Sequence, residues 1–153
     1  MVTIMPVRKI RIALIEDSPT TRFFYKSVFA ETGFEVFEAE NARDGWAIIC
    51  EQKPDIIILD MMMPDIHGIE LLKRIRGFAF SKDIPVLVLS SVSDGDQVQA
   101  IFREGANHFS LKGMDSPELI KERVYQLLKD RKDKESESPP DKAEEVERQI
   151  WWV

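Results

Sequence analysis

Residues 54–72 read PDIIILDMMMPDIHGIELL, and the order of side-chain types in this stretch decides the fold class. Pro54 and Asp55 make a turn. Four apolar residues, Ile56 to Leu59, follow with no polar alternation, the pattern of a short strand buried on both faces of a sheet. Asp60 stands at the carboxyl end of that strand. Beyond a second turn at Pro64 and Asp65, Ile69, Leu72 and Ile75 recur at helical spacing. The stretch therefore reads as strand, acidic tip, loop and amphipathic helix.

The same unit repeats outward in both directions. Residues 10–15 and 86–89, the latter behind Pro85, are short apolar runs of the same kind, and weaker strands are expected at 35–39 and 107–111. Helical spacing joins Phe23, Val28 and Phe29; Ala42, Trp46 and Ile49; Val98, Ile101 and Phe102; and Leu119, Ile120, Val124 and Leu127. Ser18-Pro19 and Ser116-Pro117 each offer a cap followed by proline at the first helical position, while Gly33 and Gly105 suit helix ends. Strict alternation of strand and helix requires right-handed crossovers, so the expected class is α/β, a doubly wound five-stranded parallel sheet with five helices.

Composition narrows the function. A chain of 153 residues, 44 % hydrophobic, builds one good core and not two full domains. A net charge of −6 argues against a surface that neutralises nucleic-acid phosphates, so no direct nucleic-acid partner is expected. One cysteine, Cys50, excludes an internal disulfide and a cysteine metal cage. No run of about 20 apolar residues is present and the first residues lack a signal-peptide core, which leaves no membrane insertion and a cytoplasmic location as the expectation.

In such a sheet ligands bind outside the carboxyl ends of the strands. Strand one ends in Glu16-Asp17, strand three in Asp60, strand four in Ser90-Ser91 and strand five in Lys112. Carboxylates gathered within a few ångström repel one another unless a proton or a cation relieves them, and oxygen ligands select a hard cation, best Mg²⁺ (or Mn²⁺). A carboxylate beside such an ion can attack phosphorus to give an acyl phosphate, with Lys112 as a second positive contact. Taken singly each residue has an ordinary reading: Glu16-Asp17 as a favourable helix start, Ser90 as a turn hydroxyl, Lys112 as a surface charge, Phe109 as core. Met61 to Met63 read as core filler and backbone ligands and not as a thioether site. Asp17 to Asp60, Asp60 to Ser90 and Ser90 to Lys112 are separated by 43, 30 and 22 residues, a joint spacing that resembles that of a known family and so favours the chemical reading.

Through IEDS, DIIILDMMMPDIHGIELL, IPVLVLSS and SLK, in that order, residues 8–131 resemble the receiver domains of two-component response regulators. The resemblance implies the flavodoxin-like strand order 2-1-3-4-5, with Asp60 as phosphoacceptor. It also implies a metal held by Glu16, Asp17, Asp60 and the backbone carbonyl of Met62, with Ser90 and Lys112 on the phosphoryl group. Ser90 and Phe109 would be the switch pair. A histidine kinase or histidine phosphotransfer protein would be the donor, and the face of the fourth helix, fifth strand and fifth helix would be the output surface, through which a homodimer is expected. The chain would be no enzyme beyond its own phosphotransfer and autodephosphorylation.

The sequence departs from the family at Gly113, where proline in a cis bond is usual, so the loop after Lys112 is expected to differ. His67 reads as a turn residue. Met62 and Val92 occupy the positions that flank attacking water, and two apolar side chains there imply a slow loss of the phosphoryl group. Competing classes are a pseudo-receiver that only binds partners, a phosphohydrolase of the haloacid-dehalogenase type and a dinucleotide reductase. The complete polar set opposes the first, Met62 in place of a second acid opposes the second, and EDSPTT in place of a Gly-rich turn opposes the third. Residues 132–142 read as a charged Ser/Pro linker, and 143–153 as a short helical tail ending near Trp151-Trp152 that docks back, pairs with a second chain, meets another protein or begins a coiled coil. No DNA-binding or enzymatic output domain is expected in residues 132–153.

Overall fold

A computed structural model describes residues 8–31, 33–91 and 94–137. The order is β1 (Arg11–Ile15), α1 (Pro19–Ala30), β2 (Glu35–Ala39), α2 (Ala42–Gln52), β3 (Ile56–Asp60), α3 (Gly68–Gly77), β4 (Val86–Ser90), α4 (Gly95–Arg103), β5 (His108–Leu111) and α5 (Pro117–Glu137). The five strands are parallel in the order β2-β1-β3-β4-β5, as expected.

The apolar runs of β1, β3 and β4 exist because both faces of the sheet are covered. Ala13, Ile15, Ile57, Leu59, Val86 and Val88 point to one face, where Ala42, Ile49, Leu72, Ile75 and Ile101 from α2, α3 and α4 complete a core. Ile12, Leu14, Ile56, Ile58, Leu87 and Leu89 point to the other, against Tyr25 and Phe29 of α1 and Ile120, Val124 and Leu127 of α5. All five residues of β3 and of β4 are buried, whereas the edge strands β2 and β5 are mostly exposed or half-buried, with only Ala39 and Ser110 buried.

Caps set the helix starts. Ser18 accepts from the Thr21 N–H at 3.3 Å ahead of Pro19, and Ser116 accepts from the Leu119 N–H at 3.2 Å ahead of Pro117. His67, read as a turn residue, is the N-cap of α3, its Nδ1 accepting from the Ile69 N–H at 3.2 Å. The fifth helix continues to Glu137, into residues whose composition reads as linker, and the Arg131–Glu135 pair at 3.2 Å supplies charge pairing along its solvated end. The expected tail helix and Trp151-Trp152 lie outside the described residues. So does Val92.

Candidate functional site

The carboxyl ends of β1, β3, β4 and β5 bring polar groups to the same edge of the sheet. Carboxylate oxygens of Glu16, Asp17 and Asp60 all lie within 4.8 Å of one another. Glu16 and Asp60 are buried and Asp17 is exposed, so the cluster has a dry floor and a wet mouth. The Lys112 ammonium sits 2.8 Å from Glu16 Oε2 and 3.0 Å from Asp60 Oδ2. Neither of those two oxygens accepts a well-directed hydrogen bond, so the ammonium is their compensation among the described residues.

The loops around this cluster are tied down by neighbours. Glu16 Oε1 accepts from the Ser18 N–H at 3.2 Å, and the Arg22 guanidinium of α1 donates to the carbonyls of Glu16 and Asp17 at 2.9 and 3.2 Å. Asp60 Oδ1 accepts from the Met62 N–H at 3.1 Å. The Lys112 N–H bonds the Ser90 carbonyl at 2.9 Å, which fixes the end of β5 to the end of β4. Gly68 packs so closely that a Cβ there would lie 2.7 Å from both the Asp60 carbonyl oxygen and the Met61 Cα. No side chain fits between the start of α3 and the acidic tip of β3.

Burial dominates the electrostatics. It pushes the Glu16 carboxyl up to about 7, with the Asp60 charge adding to the shift and Lys112 opposing it. Asp60 is raised too, chiefly by burial, against the Met62 N–H and Lys112. The two carboxylates in turn hold Lys112 above its ordinary value despite its partial burial. Tyr25, below the site in α1, is pushed up to about 12 by burial first and then by the nearby carboxylates of Glu16, Asp115 and Asp60. Three acids face one base, an excess of two negative charges that a divalent cation balances. With two buried oxygens lacking directed donors, Glu16, Asp17 and Asp60 fit such an ion.

Ser90 is buried at the carboxyl end of β4, and Phe109 is half-buried in β5 against the α2, α3 and α4 core. Met61 is buried and Met62 is 56 % exposed at the site's mouth, which separates their roles as core and as rim. Two residues escaped the sequence reading. Arg22, one helical turn into α1, belongs to no motif in the chain. Asp65 accepts from the Ala42 and Arg43 N–H groups at 3.0 Å each, so the β3–α3 loop caps α2 from a distance. Against some desolvation, those bonds hold the exposed carboxyl below its usual range. A cap 23 positions away leaves no local signal. The Lys112–Gly113 bond is trans, as is every peptide among the described residues, and Gly113 takes φ +77°.

A parallel sheet of this order carries acids after β1 and β3 opposite a lysine after β5, the frame of a doubly wound α/β domain with a polar site at its strand tips. Residues 12–124 match the response regulator receiver domain, and the chain belongs to that family. It is 29 % identical over 111 residues to protein PilH of Pseudomonas aeruginosa, covering 72 % of this chain and 92 % of that protein. It is 30 % identical to sporulation initiation phosphotransferase F of Bacillus subtilis, over 71 % of this chain and 86 % of the other. A CheY-like receiver domain structure from Methanospirillum hungatei superposes with a TM-score of 0.78 at 20 % identity, covering 83 % of this chain and 99 % of that one, a likeness of fold. Receiver domains bind a divalent metal at acidic clusters of this kind and are phosphorylated by histidine kinases or phosphotransfer proteins; they are generally not enzymes in their own right. No helix among the described residues is long and apolar enough to cross a membrane.

Proposed function

We propose that the chain is a phosphorylated switch in which Asp60 accepts a phosphoryl group from a phosphohistidine of a kinase or phosphotransfer partner in the cytoplasm. The observation that carries this reading is the buried pair of carboxylate oxygens, Glu16 Oε2 and Asp60 Oδ2, sharing the Lys112 ammonium at 2.8 and 3.0 Å. An Asp60 oxygen attacks phosphorus, the P–N bond breaks, and its electron pair returns to the imidazole of the donor. Glu16, Asp17, Asp60 and the Met62 carbonyl would hold Mg²⁺, which would supply positive charge to offset that of the transferred group.

Lys112 exchanges its contact with Asp60 for one with the new phosphoryl oxygens, keeping a cation beside the developing charge. Ser90 donates its hydroxyl to the same group. Its movement is followed by Phe109, and the change spreads to the face of α4, β5 and α5, where a second copy docks. Met62, apolar and at the mouth, orients no water, so the acyl phosphate is long-lived.

Incubation with acetyl phosphate and Mg²⁺ tests the reading. A mass gain of one phosphoryl group that is absent in Asp60→Ala supports it, and equal labelling of both proteins refutes it. Elution as a dimer after beryllofluoride treatment is the expected sign of the output step.

A further inference from the structure

The turn that follows Lys112 carries a side-chain network with no part in phosphoryl transfer itself. Asp115 Oδ2 accepts from the buried Ser110 hydroxyl of β5 at 2.6 Å and from the Arg123 guanidinium of α5 at 2.5 Å. The same guanidinium nitrogen donates to the Phe109 carbonyl at 3.2 Å. Backbone bonds from Met114 and Asp115 N–H to the Leu111 carbonyl, at 3.2 and 3.4 Å, are long. Gly113 at φ +77° puts a residue without side-chain restraint directly after the lysine. Beyond the Lys112 N–H bond to the Ser90 carbonyl at 2.9 Å, backbone alone therefore holds this turn weakly. The side-chain network spans it from both ends.

We propose that Asp115 is a positioning residue for Lys112: bound to Ser110 and Arg123, it clamps the β5–α5 turn so that the ammonium stays between Glu16 and Asp60. The geometry is a triangle. Ser110 lies two positions before Lys112 and Asp115 three after it, so joining their side chains closes a loop whose tip is the lysine backbone. Arg123 anchors that loop to the second turn of α5, itself packed on the sheet through Ile120 and Val124. The Ser110 hydroxyl and the Arg123 charge hold the Asp115 carboxyl below its usual range, so the clamp stays ionised at neutral pH. Because Arg123 also holds the Phe109 carbonyl, the clamp ties α5 to the proposed switch strand.

This inference deepens the phosphorylated-switch reading and rests on it for the role of Lys112, but its first test does not need phosphorylation. Wild type, Asp115→Ala, Asp115→Asn and Arg123→Gln are treated with an amine-acetylating reagent at neutral pH, and modification of Lys112 is followed by mass spectrometry. Lys112 is expected to react about tenfold faster in Asp115→Ala, because a loosened turn opens locally, with Lys121 and Lys26 in the same samples unchanged. Asp115→Asn, which keeps an acceptor for both donors, is expected to react at close to the wild-type rate. In the second arm, labelling by acetyl phosphate at saturating donor falls about tenfold in Asp115→Ala with little change in the donor concentration at half-rate, as misplacement of a charge predicts. Mg²⁺ affinity stays near wild type, since Glu16, Asp17 and Asp60 come from other strands.

Equal Lys112 reactivity in wild type and Asp115→Ala overturns the clamp. Where Asp115→Ala does not fold, Arg123→Gln takes its place: faster Lys112 acetylation supports the clamp and an unchanged rate overturns it. If wild type takes no phosphoryl group while the reactivity contrast holds, the phosphoacceptor reading falls and the clamp stands.

Discussion

Replacing Asp60 with Asn removes one charge from a cluster whose geometry makes that charge costly. With an effective dielectric near 20, unit charges 4.8 Å apart repel by about 3.5 kcal/mol, so Glu16 alone opposes ionised Asp60 by that much or more. Lys112 at 3.0 Å returns about 5 to 6 kcal/mol on the same scale, while burying a carboxylate costs several kcal/mol and exposed Asp17 adds a screened repulsion. The costs outweigh the gain. Asn retains an oxygen for the Met62 N–H, so the loop contact survives.

Asp60→Asn is therefore expected to raise the stability of the metal-free protein by about 1 to 3 kcal/mol at pH 8, a shift of about 1 M in the urea midpoint. The assay is urea unfolding followed by circular dichroism in a chelator, repeated with millimolar Mg²⁺. Mg²⁺ should raise the wild-type midpoint and move that of the variant much less, because one of three carboxylates is gone. A variant that unfolds at equal or lower urea in the chelator, or that gains as much from Mg²⁺ as wild type does, would refute the view that like charge dominates this site.

Further outcomes follow from the same geometry. Glu16 has a folded value of about 7 against an ordinary 4.5, so the folded state holds the extra proton; the stability this contributes is full below pH 4.5 and is lost as pH rises through 7. Metal-free protein should lose up to about 3 kcal/mol from this group between pH 4.5 and 8, read as a falling urea midpoint that Mg²⁺ restores at the upper end. Met62→Asn should shorten the lifetime of the phosphorylated form by placing an amide beside the site's mouth, timed by loss of the mass increment; an unchanged decay removes the case for an apolar rim as the cause of slow turnover. Gly68→Ala forces a methyl to within 2.7 Å of the Asp60 carbonyl oxygen, with an expected loss of about 1 to 3 kcal/mol by urea unfolding and slower labelling of Asp60. Ile56→Ala, at the opposite end of β3 from Asp60 and fully buried, should cost about 2 to 5 kcal/mol while leaving Mg²⁺ affinity in the folded protein unaltered.

Much of this architecture is legible in residue order alone. Ile56 to Leu59 admit no polar face, so they demand cover on both sides, and alternation with helices then dictates a parallel sheet whose strand tips share one edge. That reasoning alone brings Glu16, Asp17, Asp60, Ser90 and Lys112 to one edge of the sheet. Strand order came from the resemblance, since alternation by itself permits several. The fifth helix outran its expected end because composition reports what cannot form a core, whereas a helix already docked through Ile120, Val124 and Leu127 extends on charge pairs alone.

What tertiary structure decided were the side-chain contacts that no sequence pattern announces. Asp65 capping α2, Arg22 holding the carbonyls of Glu16 and Asp17, and the Ser110–Asp115–Arg123 network across the β5–α5 turn have no period or spacing to betray them. A hydrogen bond to a backbone group depends on where that backbone passes, and the passage is set by packing of the whole sheet. The residue types of the acidic site could be written down from the chain; which oxygens are buried, which face the lysine, and how far the Glu16 carboxyl rises follow only once the strands lie side by side and water is excluded from between them.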